Sequence, residues 1–305
     1  MIFGLRWYGP VAILVFLAST LLMVLRVDPF HARYYLFAWY TYIVFADALI
    51  HRWRGRSLLS HRFGEFALML PLSFLLWEMF EGFDLRLNNW YYARTVNGVV
   101  EPLAWSWWNA PVYFLAYATV LPGEFQTIEL VRIGSERRWP GLAGATIRPW
   151  RMTRGKFYGF QLIGCLCIAL PMIWPRVFFP LIWLSMIFIF DPINWRAGRP
   201  SLLRQLSRGQ AALFCQILIA GMICGLFWEF WNFWAGTKWV YTVPWPLNVM
   251  KVFEMPVLGF FGFPPFALEC YALYHFMRAL PGVRRLAGGP SLFAYETLGE
   301  KERAW

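Results

Sequence analysis

LLWEMFEGFDLRLNNWYY (residues 75–92) and LFWEFWNFWAGTKWVY (residues 226–241) are two versions of one pattern. Each opens as an apolar run and carries a Trp-Glu pair, Trp77-Glu78 in the first and Trp228-Glu229 in the second. Each sets a polar residue three positions on, Glu81 or Asn232. Other landmarks recur in the same order on both sides. FADALIHRWRGRSLL (residues 45–59) matches FDPINWRAGRPSLL (residues 190–203), with Asp47 and Asp191 equally far from the Ser-Leu-Leu. Glu101-Pro102 answers Glu254-Met255-Pro256, and Pro111 answers Pro264. This order predicts a tandem duplication: a first repeat over 1–135, a basic linker over 136–156, and a second repeat with a short tail over 157–305.

The apolar residues fall in runs long enough to cross a hydrocarbon core of about 30 Å. The runs are Val11–Leu25, Tyr34–Ile50, Phe66–Phe83, Trp105–Leu121, Phe157–Trp174, Val177–Phe190, Ala211–Trp234 and Phe253–Met277. They lack the alternation of barrel strands, so helix is expected throughout. The expected fold is an all-α polytopic membrane bundle of about eight transmembrane helices, about four per repeat. An even number of crossings gives both repeats the same orientation, related by an axis along the membrane normal. A chain that is 59% hydrophobic and 15% charged would be poorly soluble without a membrane.

The net charge of +11 is distributed, not patched. Arg52, Arg54, Arg56 and Arg62 follow the second run, and Arg132 to Lys156 follow the fourth. Arg196, Arg199, Arg204 and Arg208 follow the sixth, and Arg278, Arg284, Arg285, Lys301 and Arg303 follow the eighth. This positive-inside pattern puts both termini in the cytoplasm, as expected of a bacterial inner-membrane protein. The partner it implies is anionic lipid, not nucleic acid. The five cysteines lie inside apolar runs without zinc spacing and read as core packers.

A charge near the bilayer centre costs about 3 kcal/mol on the lenient scale, so intramembrane acids are functional candidates. Glu78 and Glu81 share a helix face, as do Glu229 and Asn232. Glu101 and Glu254 are expected to start returning helices, where an acid is also a favourable cap. Glu269 lies deep in the last run after Gly259, Gly262, Pro264 and Pro265, which predict a broken helix lining a cavity. Asp47 and Asp191, beside Arg52 and Arg196, read as caps or charge partners. Glu124 and Glu129 read as solvated or capping residues on the cytoplasmic side. The Glu-x-x-Glu and Glu-x-x-Asn pairs lack the histidines of di-iron bundles, so no metal is expected.

Aromatic residues make up 20% of the chain. Trp90, Tyr91, Trp239 and Tyr241 fit an interface belt. Trp77, Trp228, Trp231, Phe263 and Tyr271 crowd the acids more than a belt requires. An acid shielded from water can hold a proton at neutral pH, and aromatic faces stabilise a cation that cannot be hydrated. Such a site can protonate an alkene, hold the carbocation and remove a proton. That chemistry needs no cofactor, in keeping with the lack of Gly-rich nucleotide loops. The candidate catalytic residues are Glu269, Glu254, Glu229, Asn232 and Glu78; the candidate lining is Trp228, Trp231, Phe263, Tyr271 and Trp77.

The Trp239-x-Tyr241 pair, the following Gly/Pro-rich segment and PPFALE (Pro264 to Glu269) resemble the membrane lycopene-cyclase domain family. That family also duplicates a bundle unit and carries an acidic motif after a proline. Glu269 stands alone where the family has an acidic doublet, and Ala116 occupies the matching place in the first repeat. The resemblance implies a cyclase or isomerase of carotenoid or triterpenoid substrates with Glu269 as acid. A proton- or ion-coupled transporter or channel and a non-catalytic membrane subunit are the competing readings.

Overall fold

A computed structural model describes residues 4–96, 99–103 and 106–295; Trp105, Lys301 and Arg303 of the expectations above lie outside them. The chain runs through α1 (Tyr8–Val24), α2 (Tyr34–Arg54), α3 (Leu58–His61), α4 (Phe63–Leu87), β1 (Trp90–Val96) and β2 (Val99–Pro102). α5 (Ala110–Tyr117), α6 (Val120–Arg138), α7 (Pro140–Ala143), α8 (Arg154–Ile173) and α9 (Pro175–Phe178) follow. A 3-10 turn, Phe179–Leu184, leads to α10 (Ser185–Arg196), α11 (Leu202–Ser207) and α12 (Ala212–Trp234). Then come β3 (Thr237–Tyr241), β4 (Lys251–Val252), β5 (Met255–Pro256), a second 3-10 segment (Val257–Gly262), α13 (Phe263–Arg278) and α14 (Pro281–Ala287).

Among the described residues, five helices are long and apolar enough to cross a membrane: Phe63–Leu87, Arg154–Ile173, Pro175–Arg196, Ala212–Trp234 and Val257–Arg278. They are compatible with an integral membrane protein. α1 is apolar but only 17 residues long. It leaves Leu14, Leu17, Leu21 and Val24 exposed along its length. The fourth expected run is divided between α5 and α6 at Ala118 and Thr119. The Ser73 hydroxyl, from α4, accepts a hydrogen bond from the Leu121 amide at 3.0 Å and donates one to the Tyr117 carbonyl. Backbone groups released by the break thus find a partner, which apolar surroundings demand.

Helix was expected throughout, yet β2, β1 and β3 form a three-stranded antiparallel sheet in that order. Glu101 accordingly lies in β2, and Glu254 in the turn between β4 and β5; neither starts a helix. In the last span Pro264 and Pro265 occupy the first turn of α13, where their missing N–H groups cost nothing. The irregularity expected there is the 3-10 segment before them.

The chain packs as two compact units, Met1–Gln126 with Ile223–Phe261, and Thr127–Met222 with Gly262–Trp305. These cut across the linear boundaries expected at 135 and 157. In the first unit, β3 comes from the later part of the chain and pairs with β1. In the second, the basic linker lies along the segment after α11: the Ile147 amide bonds the Gly209 carbonyl and the Trp150 amide the Ser207 carbonyl, both at 2.9 Å.

Asp47 of α2, in the first unit, and Asp191 of α10, in the second, are both fully buried. Asp47 accepts from the Ser57 hydroxyl at 2.7 Å, the Leu59 amide at 2.8 Å, the Tyr8 hydroxyl at 2.7 Å and the Gln126 amide at 3.1 Å. Asp191 accepts from the Ser201 hydroxyl at 2.8 Å and from the Leu202 and Leu203 amides at 2.9 and 2.7 Å. Each carboxylate therefore caps the short helix that begins at Ser-Leu-Leu, satisfying amides that no helical carbonyl can reach.

Helix contact in the second unit depends on Gly221 of α12. A Cβ there would stand 2.6 Å from Ala267 Cβ and 2.7 Å from the Phe263 carbonyl oxygen, a backbone atom that cannot turn aside. Small residues permit this approach between membrane helices. Gly221→Ala is expected to lower the melting temperature of the purified protein, at a cost of about 1–3 kcal/mol; an unchanged melting temperature would show the helices free to separate.

Candidate functional site

The antiparallel pairing of β1 with β3 sets Trp90 opposite Tyr241, Tyr91 opposite Val240 and Tyr92 opposite Trp239. Strand side chains alternate between faces, so Trp90, Tyr92, Trp239 and Tyr241 all project from one face of the ribbon. Two acids meet these four rings. Glu81 Oε1, on α4, accepts from the Tyr92 hydroxyl at 2.6 Å, the Trp77 indole at 2.8 Å and the Trp90 indole at 3.2 Å. Glu229 Oε1, on α12, accepts from the Tyr241 hydroxyl at 2.8 Å and the Trp239 indole at 3.4 Å. The Trp-x-Tyr segments expected as belts are thus the hydrogen-bond donors to the acids. Burial, followed by the Glu229 charge, pushes the Tyr241 phenol well above its ordinary value, so it stays a proton donor to Glu229.

The two acids differ in what remains open. Glu81 is half-buried, and three donors converge on its Oε1. Glu229 is fully buried, and its Oε2 has no hydrogen-bond partner among the described residues. An unpartnered oxygen at such depth is costly and calls for a use. Asn232, one turn along α12, is committed to the backbone: its Nδ2 donates to the Trp239 carbonyl and its Oδ1 accepts from the Trp239 amide, both at 2.9 Å. This amide clamp copies strand pairing and fixes the Trp239 and Tyr241 rings over Glu229.

Beside Glu229 lies an aromatic wall. Trp39 of α2, fully buried, meets Trp228 at 5.3 Å and Trp231 at 5.0 Å between ring centres. Tyr42 meets Phe227 at 5.2 Å and Trp231 at 5.9 Å. Tyr35 meets Trp239 edge-on at 5.0 Å. The spacing of Trp228 and Trp231, three apart on α12, presents both to α2.

The other expected site residues lie elsewhere. Glu78 is exposed, and its neighbour Glu81 takes the ring donors in its stead. The reason is rotational: Glu81 is one turn further toward the ribbon, so the sequence match of Glu78 to Glu229 does not carry over to their contacts. Glu254 is paired with Lys238, which occupies its Oε1. Glu269 belongs to the second unit and is fully buried. Its Oε1 accepts from the Met186 amide at 2.7 Å. Met186 stands in the first turn of α10, just after the 3-10 turn, so its amide lacks a helical acceptor and Glu269 supplies one. Phe263 and Tyr271 also lie in that unit, where Tyr271 packs edge-on against His275 at 4.5 Å.

Three residues of the first unit were not singled out by sequence: Glu81 as an acceptor of ring donors, Tyr35, and Glu124, which is fully buried and not solvated. Among the described residues no group of three or more His, Cys, Asp and Glu side chains is disposed to hold a metal ion. Comparison of the chain with protein-family models, with curated proteins and with solved structures finds no match.

Proposed function

We propose that the chain is an integral membrane enzyme that isomerises or cyclises a polyisoprenoid, of carotenoid or triterpenoid class, by protonating an alkene and stabilising the carbocation. Glu229 is the acid. The observation that carries this reading is the state of its two oxygens: Oε1 is held by Tyr241 and Trp239, and the buried Oε2 has no hydrogen-bond partner among the described residues. An acceptor-occupied Oε1 leaves Oε2 as the atom that carries and delivers the proton. Proton transfer by such a group contributes typically 10²–10⁴-fold. The wall that follows is aromatic, which suits an unhydrated cation better than an aqueous ion path. Water exclusion also protects a carbocation from capture.

The reading includes about eight transmembrane helices in two tandem four-helix repeats of one orientation, with both termini in the cytoplasm of a bacterial cell and anionic lipid at the basic loops. Two observations support the repeat. Asp47 with Ser57 and Leu59 makes the same hydrogen bonds as Asp191 with Ser201 and Leu203. The two Trp-x-Tyr segments pair with each other about a common centre. The resemblance to membrane lycopene cyclases points to the same substrate class.

Expression in a host that makes both carotenoids and hopanoids, with mass spectrometry of the extracts, tests the reading. The expected result is a new isomer, cyclised product or hydrate absent from the host alone. No change in any isoprenoid would overturn the enzyme reading in favour of transport or a structural role, and ion-flux measurement in vesicles would separate those two.

A further inference from the structure

We propose that the connection from β3 to the second 3-10 segment, residues 242–256, is a lipid-contacting finger whose tip lies between headgroups and acyl chains at the level where α12 ends. This holds independently of the reaction proposed above. The connection joins two of the helices long and apolar enough to cross a membrane, Ala212–Trp234 and Val257–Arg278. Its tip turns apolar side chains outward: Trp245 is 84% exposed, Val249 72% and Met250 66%. Beyond the tip, β4 and β5 pair, with Lys251 opposite Pro256 and Val252 opposite Met255.

Aromatic packing fixes the level. Phe253, at the turn of this hairpin, meets Phe230 and Phe233 of α12, each at 5.6 Å between ring centres. Phe230 precedes the last residue of α12 by four positions, about 6 Å along the axis. The hairpin therefore lies beside the final turn of a spanning-length helix. Lys238 of β3 stands at the same level: its ammonium bonds Glu254 and lies 5.1 Å from the centre of the Phe233 ring.

Neither bulk phase suits the tip. Water disfavours the apolar surface of Trp245, Val249 and Met250. Hydrocarbon is closed to it too, because residues 242–250 form turns and bends, with Asn248 exposed among them. Irregular backbone facing acyl chains has no partners for its N–H and C=O groups. The headgroup boundary meets both demands, with water for the polar groups and acyl carbon for the side chains. Tryptophan is enriched at that level for the same reason. Lys251, exposed next to Met250, adds a cation that lipid phosphate attracts. Phe230 and Trp234, at the end of α12 itself, also expose apolar surface.

The experiment places the photoreactive residue p-benzoylphenylalanine at position 245 of the full chain and irradiates the membranes of the expressing cells. The purified protein is digested with trypsin, and the peptide Trp239–Lys251 is followed by mass spectrometry. The expected result is a mass gain of one phospholipid, reduced to one fatty acid by ester hydrolysis. Fragmentation is expected to locate the new bond on the carboxyl half of the acyl chain. A bond at the methyl end would put the tip in the hydrocarbon core and overturn the proposal. A covalent dimer of the chain, or a join to another protein, would overturn it in favour of a protein-covered tip. No adduct, from chain that elutes as a single peak on gel filtration, would overturn it in favour of a tip in water. If the chain with the probe at 245 aggregates, the probe is moved to position 249, in the same tryptic peptide, and the same outcomes decide.

Discussion

Glu229→Gln is expected to abolish isoprenoid conversion, by at least about 100-fold, while the protein still folds. The amide is the same size as the acid. Its carbonyl oxygen can replace Oε1 as acceptor for Tyr241 and Trp239, so the ribbon above it is retained. What it cannot do is carry an acidic proton on the second position. Rate and fold therefore separate, and the measurement is product by mass spectrometry against melting temperature in the same detergent. Glu269→Gln makes the contrast. Its amide oxygen still caps the Met186 amide, and conversion is expected to stay within a few-fold of wild type. Loss of conversion in Glu269→Gln with full activity in Glu229→Gln would move the acid to the second unit.

The largest effect on stability is expected from Asp47→Ala. Asp47 has no exposed surface and accepts four hydrogen bonds from Tyr8, Ser57, Leu59 and Gln126. Bonds to a charged group contribute about 1.5–3 kcal/mol each and do not add fully. Removal leaves the Ser57, Leu59 and Gln126 donors without this acceptor, so a loss of at least about 3 kcal/mol is expected. For a chain of 305 residues that lowers the melting temperature by at least about 5 °C. Asp47→Asn should fall between, since it retains one acceptor oxygen and adds a misplaced donor. An unchanged melting temperature with lost conversion would make Asp47 a chemical residue instead of a cap.

Five apolar helices long enough to cross a membrane were legible because hydrophobic length is a one-dimensional property. Phe63–Leu87 and Ala212–Trp234 follow directly from their runs. Of the two readings open for Asp47 and Asp191, caps or charge partners, the bonds to Ser57, Leu59, Ser201 and Leu203 favour the cap. The sheet was not legible, because Trp90–Val96 and Thr237–Tyr241 are short and aromatic, and such segments serve an interface belt equally well. The pairing that makes them strands comes from distant parts of the chain. The choice of Glu81 over Glu78 depends on helix rotation against that ribbon, which spacing alone leaves open. Glu124 follows a helix break at Ala118 and Thr119 that turns it inward, and its neighbours in sequence give no sign of this. Spacing likewise leaves open the contact of Glu269, whose Oε1 accepts from the Met186 amide on another helix while its buried Oε2 has no partner among the described residues.

The ribbon of β1 and β3 has a consequence for biogenesis. The ribosome delivers Trp90 and Tyr92 long before Trp239 and Tyr241, so the first unit enters the membrane with one strand edge unfilled. Glu81 can be bonded at once by Trp77, Trp90 and Tyr92, all of the early segment. Glu229 arrives with α12 and finds its donors only when β3 emerges and zips onto the waiting edge. Translation order thus leaves Glu229 without its Tyr241 and Trp239 donors until β3 has emerged, and an aborted product that stops before β3 never acquires them.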